Sequence, residues 1–155
     1  MKKYIIILPL FISFIHISFA QNKQAEKEVE SVLEQLMQAY NAYDGAAIKS
    51  IMHDDSFARV IQIGTIYTPD YYYSITPEMA SKQKFTRVNR WENKSVRVVD
   101  DQSAVALCEI ISTTTLEGQE PFESKTVNTI VMEKAKGKWG IITMHISELT
   151  EKRNF

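Results

Sequence analysis

Few residues in this chain have the type and setting that chemistry needs. His53 stands beside Asp54-Asp55. A metal centre draws its donors from separate elements, and these three share one short stretch. A solvated helix end is the simpler expectation, and no metal is expected. His145 lies in a β-rich run. It is the one weak candidate for a base or a ligand donor. Strict alternation would put it on one face with Trp139, Ile141, Thr143 and Ser147, and would put Gly140, Ile142, Met144 and Ile146 on the other. Cys108 is the only cysteine, so no internal disulfide can form. With Leu107 and Ile110 as neighbours it reads as a buried thiol rather than a nucleophile. Arg59, Arg87 and Arg90 would make an anion site if they converged, and a solvated surface otherwise. Tyr71-Tyr72-Tyr73 suits either a lid or edge packing.

The elements that must position these residues begin after a leader. Met1-Lys2-Lys3 is a basic start, Tyr4 to Phe19 is apolar, and Ser18-Phe19-Ala20 offers small residues at a cleavage site. This is the three-part pattern of a secretory signal peptide, cut after Ala20. The expected product is secreted or periplasmic, with no membrane span once the signal is gone. The residue after the cut is Gln21 rather than Cys, so nothing marks a lipid anchor. Losing Lys2 and Lys3 takes the 18 basic residues to 16 against 19 acidic ones, a balance of −3. No basic stripe is present, so nucleic acid is not an expected partner. Residues 21–155 are enough for a single domain with its own core.

Residues 24–43 place Val29, Val32, Leu33, Leu36, Met37, Tyr40 and Tyr43 at spacings of three and four, the face of an amphipathic helix. Asp44 can cap a second helix over 45–52. Phe57 to Ile63 reads as a strand. Residues 64–75 allow a short strand or an aromatic loop. Thr76-Pro77-Glu78 predicts a helix from 77 to about 86. Strands follow at about 90–99, 103–115, 121–133 and 138–148, divided by short polar turns, as in an antiparallel meander. Helices covering one face of such a sheet make an α+β cone, whose interior is either an open pocket or filled by its own side chains.

Two motifs carry a resemblance. Tyr40-Asn41-Ala42-Tyr43-Asp44, then Ile48, Met52 and Asp54-Asp55, is similar to the opening of the nuclear transport factor 2-like superfamily. Gly137-Lys138-Trp139-Gly140-Ile141, then His145 and Ser147, resembles the closing strand of its SnoaL-like branch. The resemblance implies a cone of three helices on a curved, mostly antiparallel sheet, the fold of ketosteroid isomerase and scytalone dehydratase. Aligned through the opening motif, the isomerase's proton-shuttle position falls on Val60, its helix tyrosine on Leu36 and its second acid near Ile130. All three are aliphatic, so the resemblance implies the fold and argues against that reaction.

By the same analogy Met144 points inward and His145 outward. The expected ligand pocket is Tyr40, Asn128, Met132 and Met144. The other face, with Leu107, Glu109, Val127, Trp139 and His145, is too apolar for water and is the expected homodimer interface. The functional expectation is an exported SnoaL-like dimer that binds a small apolar molecule without a cofactor. Two alternatives stay open: a cofactor-free isomerase, hydratase or cyclase using His145 or a carboxylate, and a module that docks a partner protein.

Overall fold

The computed structural model describes residues 7–74 and 85–149, with side chains from Lys23. Helix α1 spans Ile7–Asn41 and α2 spans Gly45–Ile51. Strands β1 (Arg59–Gln62) and β2 (Thr65–Tyr67) form a tight hairpin. A third helix, α3, is described over 69–74. Four long strands follow: β3 (Phe85–Val98), β4 (Ser103–Leu116), β5 (Phe122–Ala135) and β6 (Lys138–Leu149). The expected helix from 77 to about 86 lies mostly outside the described residues. Its last two positions, Phe85 and Thr86, are strand.

The sheet runs β2-β1-β6-β5-β4-β3, antiparallel throughout except where β1 lies parallel to β6. Three connections make the meander. Lys136 and Gly137 both take positive φ, 52° and 80°, between the paired Ala135 and Lys138. Such a two-residue turn matches the twist of its strands and favours glycine at its second position. Between β3 and β4 the Asp100 carboxylate accepts from the Gln102 amide at 2.9 Å.

Helix α1 lies across the sheet. Val29, Leu33 and Leu36, one turn apart, are fully buried against Ala104, Ala106, Ile130, Met132, Ile141, Met144 and Val60. The expected polar face is exposed at Glu26, Lys27, Glu30, Glu34 and Gln38. Glu28 ties the helix down further along. Its carboxylate accepts from Lys134 Nζ at 2.7 Å and from the Trp139 indole at 3.1 Å.

That indole contact corrects one expectation. Trp139 does not lie on the outer face; it is buried beneath α1, and so is Ile141. The reason is a β-bulge. Val131 pairs with Thr143 but Met132 pairs with Ile141, which leaves Ile142 as an extra residue in β6. One inserted residue reverses the facing of everything before it. Met144 and Ile146, after the bulge, point inward as expected, and His145 outward.

The opening motif turns out to be structural. Asn41 ends α1 by acting as a substitute strand for the sheet edge. Its Oδ1 accepts from the Asn89 amide at 2.7 Å, and its Nδ2 donates to the Asn89 carbonyl at 2.9 Å. Asp44 caps α2 by accepting from the Ala47 amide at 2.9 Å. The chain then passes close to β6, with the His53 amide donating to the Ile141 carbonyl at 2.8 Å. A Cβ on Gly140 would meet the His53 backbone at 3.1 Å, which accounts for a glycine inside this strand.

Candidate functional site

The concave face of the sheet changes character along its strands. Under α1 it is closed. Beyond Cys108 and Met144 the inward positions become Asn128, Ile146, Ile110, Thr126, Ser112 and Ser124, in register across β4, β5 and β6. Over this stretch the sheet opens into a cleft of about 820 Å³. Its floor is Ile110, Ile146 and Asn128, and the tyrosines Tyr40, Tyr43 and Tyr72 stand over it.

Each tyrosine is placed by a local signal. Tyr40 is the last inward residue of α1, and its hydroxyl contacts Met144 Sδ at 3.5 Å. Tyr43 follows at positive φ, 53°, and its hydroxyl donates to the Arg87 carbonyl at 3.3 Å. Of the alternatives for residues 64–75 the short strand is present, as β2 at Thr65–Tyr67, while the 71–73 triplet belongs to α3. Thr68-Pro69-Asp70 starts that helix, with Thr68 Oγ1 accepting from the Tyr71 amide at 3.4 Å. Tyr71 faces solvent, Tyr73 is buried, and Tyr72 lies between. The Tyr67 ring packs against those of Tyr71 and Tyr72, with centroids less than 6 Å from its own. Burial pushes all three inner phenols up: Tyr40 and Tyr73 strongly, and Tyr72 to about 12. At neutral pH they are therefore hydrogen-bonding hydroxyls and not bases.

The polar wall is a relay of neutral groups. Ser112 Oγ donates to Asn89 Oδ1 at 2.7 Å, and Asn89 Nδ2 donates to Asn41 Oδ1 at 3.0 Å. Asn128 is buried, with its Nδ2 donating to Thr126 Oγ1 at 3.3 Å. Charges stand only at the rim. Glu148 accepts from Gln62 at 3.3 Å, Glu123 pairs with Arg90 at 3.3 Å, and Arg87 donates from Nε to Thr114 Oγ1 at 3.1 Å.

Of the four expected pocket residues, Tyr40 and Asn128 line the cleft. Met132 and Met144 do not. Both are buried in the closed end, Met144 directly behind Tyr40. His145 is exposed on the opposite face, paired in register with Thr129 and Ile61, so it cannot reach the cleft. The three arginines do not converge. Arg87 is at the cleft, Arg90 is held by Glu123, and Arg59 donates to the Ser56 and Ala58 carbonyls near a separate hollow around His53. His53 itself departs from the solvated-end expectation, since both ring nitrogens are buried without a hydrogen-bond partner. Cys108 is buried as expected, and burial pushes its thiol up to about 11.

Gln62, Asn89 and Glu148 are cleft residues that the sequence did not single out. The Thr-Pro-acid start that predicted a helix at Thr76 occurs at Thr68 as well, and would have placed Tyr72. Asn89 and Ser112 carry no comparable signal, because only the β3–β4 register brings them together.

Among the described residues no cluster of His, Cys, Asp and Glu could hold a metal ion, and no helix is long and apolar enough to cross a membrane. Helices on one side of a curved sheet, with a cleft at one end, define a nuclear transport factor 2-like cone. Solved structures share it. A hexachlorocyclohexane dehydrochlorinase from Novosphingobium barchaimii is 14% identical, with a TM-score of 0.72 over 84% of this chain and 90% of that one. A nuclear transport factor 2-like protein of unknown function from Pseudomonas putida is 16% identical, with a TM-score of 0.68 over 84% and 91%. A ketosteroid isomerase-like protein from Erwinia carotovora is 12% identical, with a TM-score of 0.65 over 81% and 96%. At such identities the likeness is one of fold. The SnoaL-like domain model matches residues 29–151, and the chain belongs to that family. A comparison with curated protein sequences finds no match.

Proposed function

We propose that the chain is an exported, dimeric binding protein that holds a small, largely apolar molecule in the open end of its cone. The observation that carries this reading is the cleft. Its volume of about 820 Å³ falls in the range of small-molecule sites, and its floor is apolar with a few neutral polar groups turned toward it. Histidine and cysteine do not occur among its described lining residues. Burial keeps the Tyr40 and Tyr72 phenols protonated at neutral pH, so the cleft is better equipped to bind than to abstract a proton.

Export rests on the leader pattern. Among the described side chains of α1, which begin at Lys23, the first buried one is Val29. The dimer rests on the outer face. Ile66, Ile61, His145, Thr129 and Leu107 follow one another across five strands, and Ile66 and Leu107 are more than half exposed. Val127 and Glu109 flank this row in register, with Glu109 already bonded to Lys125 at 2.9 Å. Apolar side chains left exposed at both ends of such a row make the sheet face a surface to be covered.

Native mass spectrometry of protein purified from its own cell envelope tests both parts. The expected spectrum is a dimer of chains beginning at Gln21, each carrying a small-molecule adduct. Leu107→Asp should give a monomer, because a charge buried without a partner opposes association. Ligand-free monomers of the unaltered chain at micromolar concentration would overturn the reading.

A further inference from the structure

Arg87 is the charged rim group whose setting differs from the others. Glu123 is paired with Arg90, Lys125 with Glu92 and Glu109, and Glu148 accepts from Gln62. Among the described residues no carboxylate lies within ion-pair distance of Arg87. Its guanidinium is nevertheless fixed. Nε donates to Thr114, the group lies 5.3 Å from the Phe85 ring centroid, and the Arg87 carbonyl is held by Tyr43. An arginine anchored through Nε and one ring face keeps its two terminal nitrogens for a planar acceptor.

We infer that Arg87 is the head-group site of the cleft, so that the ligand is an amphiphile with a carboxylate at the rim and an apolar body on Ile110 and Ile146. This deepens the binding reading and rests on it. The register supports the geometry. Arg87 and Asn89 stand two apart on the inward face of the edge strand, opposite Thr114 and Ser112. A carboxylate at Arg87 therefore has neutral amide and hydroxyl groups beside it, and the apolar floor lies further in, Ile110 on β4 and Ile146 on β6. The Tyr72 phenol, held neutral, adds no opposing charge. A neutral ligand would leave a fixed cation beside its polar end with nothing to neutralise. A phosphate ester is less well served, because Arg87 is the cleft's single unpaired cation among the described residues.

Isothermal titration with two probes of similar size, phenylacetate and benzyl alcohol, separates the inference from the reading beneath it. Phenylacetate should bind the unaltered protein roughly tenfold more tightly than benzyl alcohol, the usual scale of a charge-assisted contact. Arg87→Gln should weaken phenylacetate far more than benzyl alcohol and so remove that advantage, and Arg87→Lys should restore only part of it. The carboxylate preference should also fall with added salt, since Arg87 is exposed. Equal binding of both probes, indifferent to Arg87→Gln, would overturn the carboxylate assignment and leave an apolar-binding cone. Binding of neither probe would overturn both. Circular dichroism of each variant shows that it is folded.

Discussion

The two ends of the concave face are built from the same strands and behave as different materials. At the closed end β4, β5 and β6 present Ala104, Ala106, Ile130, Met132, Ile141 and Met144, a mix of small and large side chains that meshes with Val29, Leu33 and Leu36. At the open end the same strands present Ile110, Ser112, Thr126 and Asn128, and α1 has stopped at Asn41. The side chains that reach over this end are tyrosines, whose hydroxyls need partners and so stand away from a solid apolar contact. The cleft follows from where the helix ends, and the helix ends where Asn41 can bond the edge strand.

The sharpest way to break this contrast is to remove the same bulk at each end. Leu36→Ala should cost towards the upper part of the roughly 2–5 kcal/mol range for such truncations, because the packed helix and sheet cannot collapse onto the void. Ile146→Ala should fall towards the lower part, since the space it leaves joins a cleft already open to water. Urea denaturation of both variants gives the two numbers. Equal losses would mean that the open end is packed core.

A smaller effect concerns acid. Lys134 above all holds the Glu28 carboxyl below its ordinary value, and Lys125 does the same for Glu109. A carboxylate with a lowered folded pKa contributes stability above its unfolded pKa, and that contribution fades as pH falls through the folded value. The denaturation midpoint should therefore be flat near neutrality and decline below about pH 4.5, the ordinary glutamate value. Glu28→Gln should soften that decline while leaving the cleft's affinity unchanged, because Glu28 braces the closed end only.

Much of this contrast was legible in the residues. The three-and-four spacing of Val29, Leu33 and Leu36 located the covering helix, and four β-rich runs between polar turns located the sheet. The closing strand was misread in part. Alternation is a safe guide only while pairing is unbroken, and nothing in Ile141-Ile142-Thr143 announces a bulge. Trp139 was therefore turned to the wrong face, while Met144 and His145, beyond the bulge, were turned correctly. The pocket was placed too deep for a related reason. Periodicity says which side chains point inward but not where the covering helix stops, so Met132 and Met144 looked like lining although α1 fills the space above them. Asn128 and Tyr40 sit at the boundary, and both readings include them.

The central claim is that the open end takes a small apolar molecule and the closed end does not. Carbon–proton correlation spectra of methyl-labelled protein, titrated with benzyl alcohol, test it most directly. Saturable shifts are expected at the Ile110 and Ile146 methyls, with those of Leu33 and Leu36 unmoved. Silence at Ile110 and Ile146, or shifts spread evenly over both ends, would contradict it.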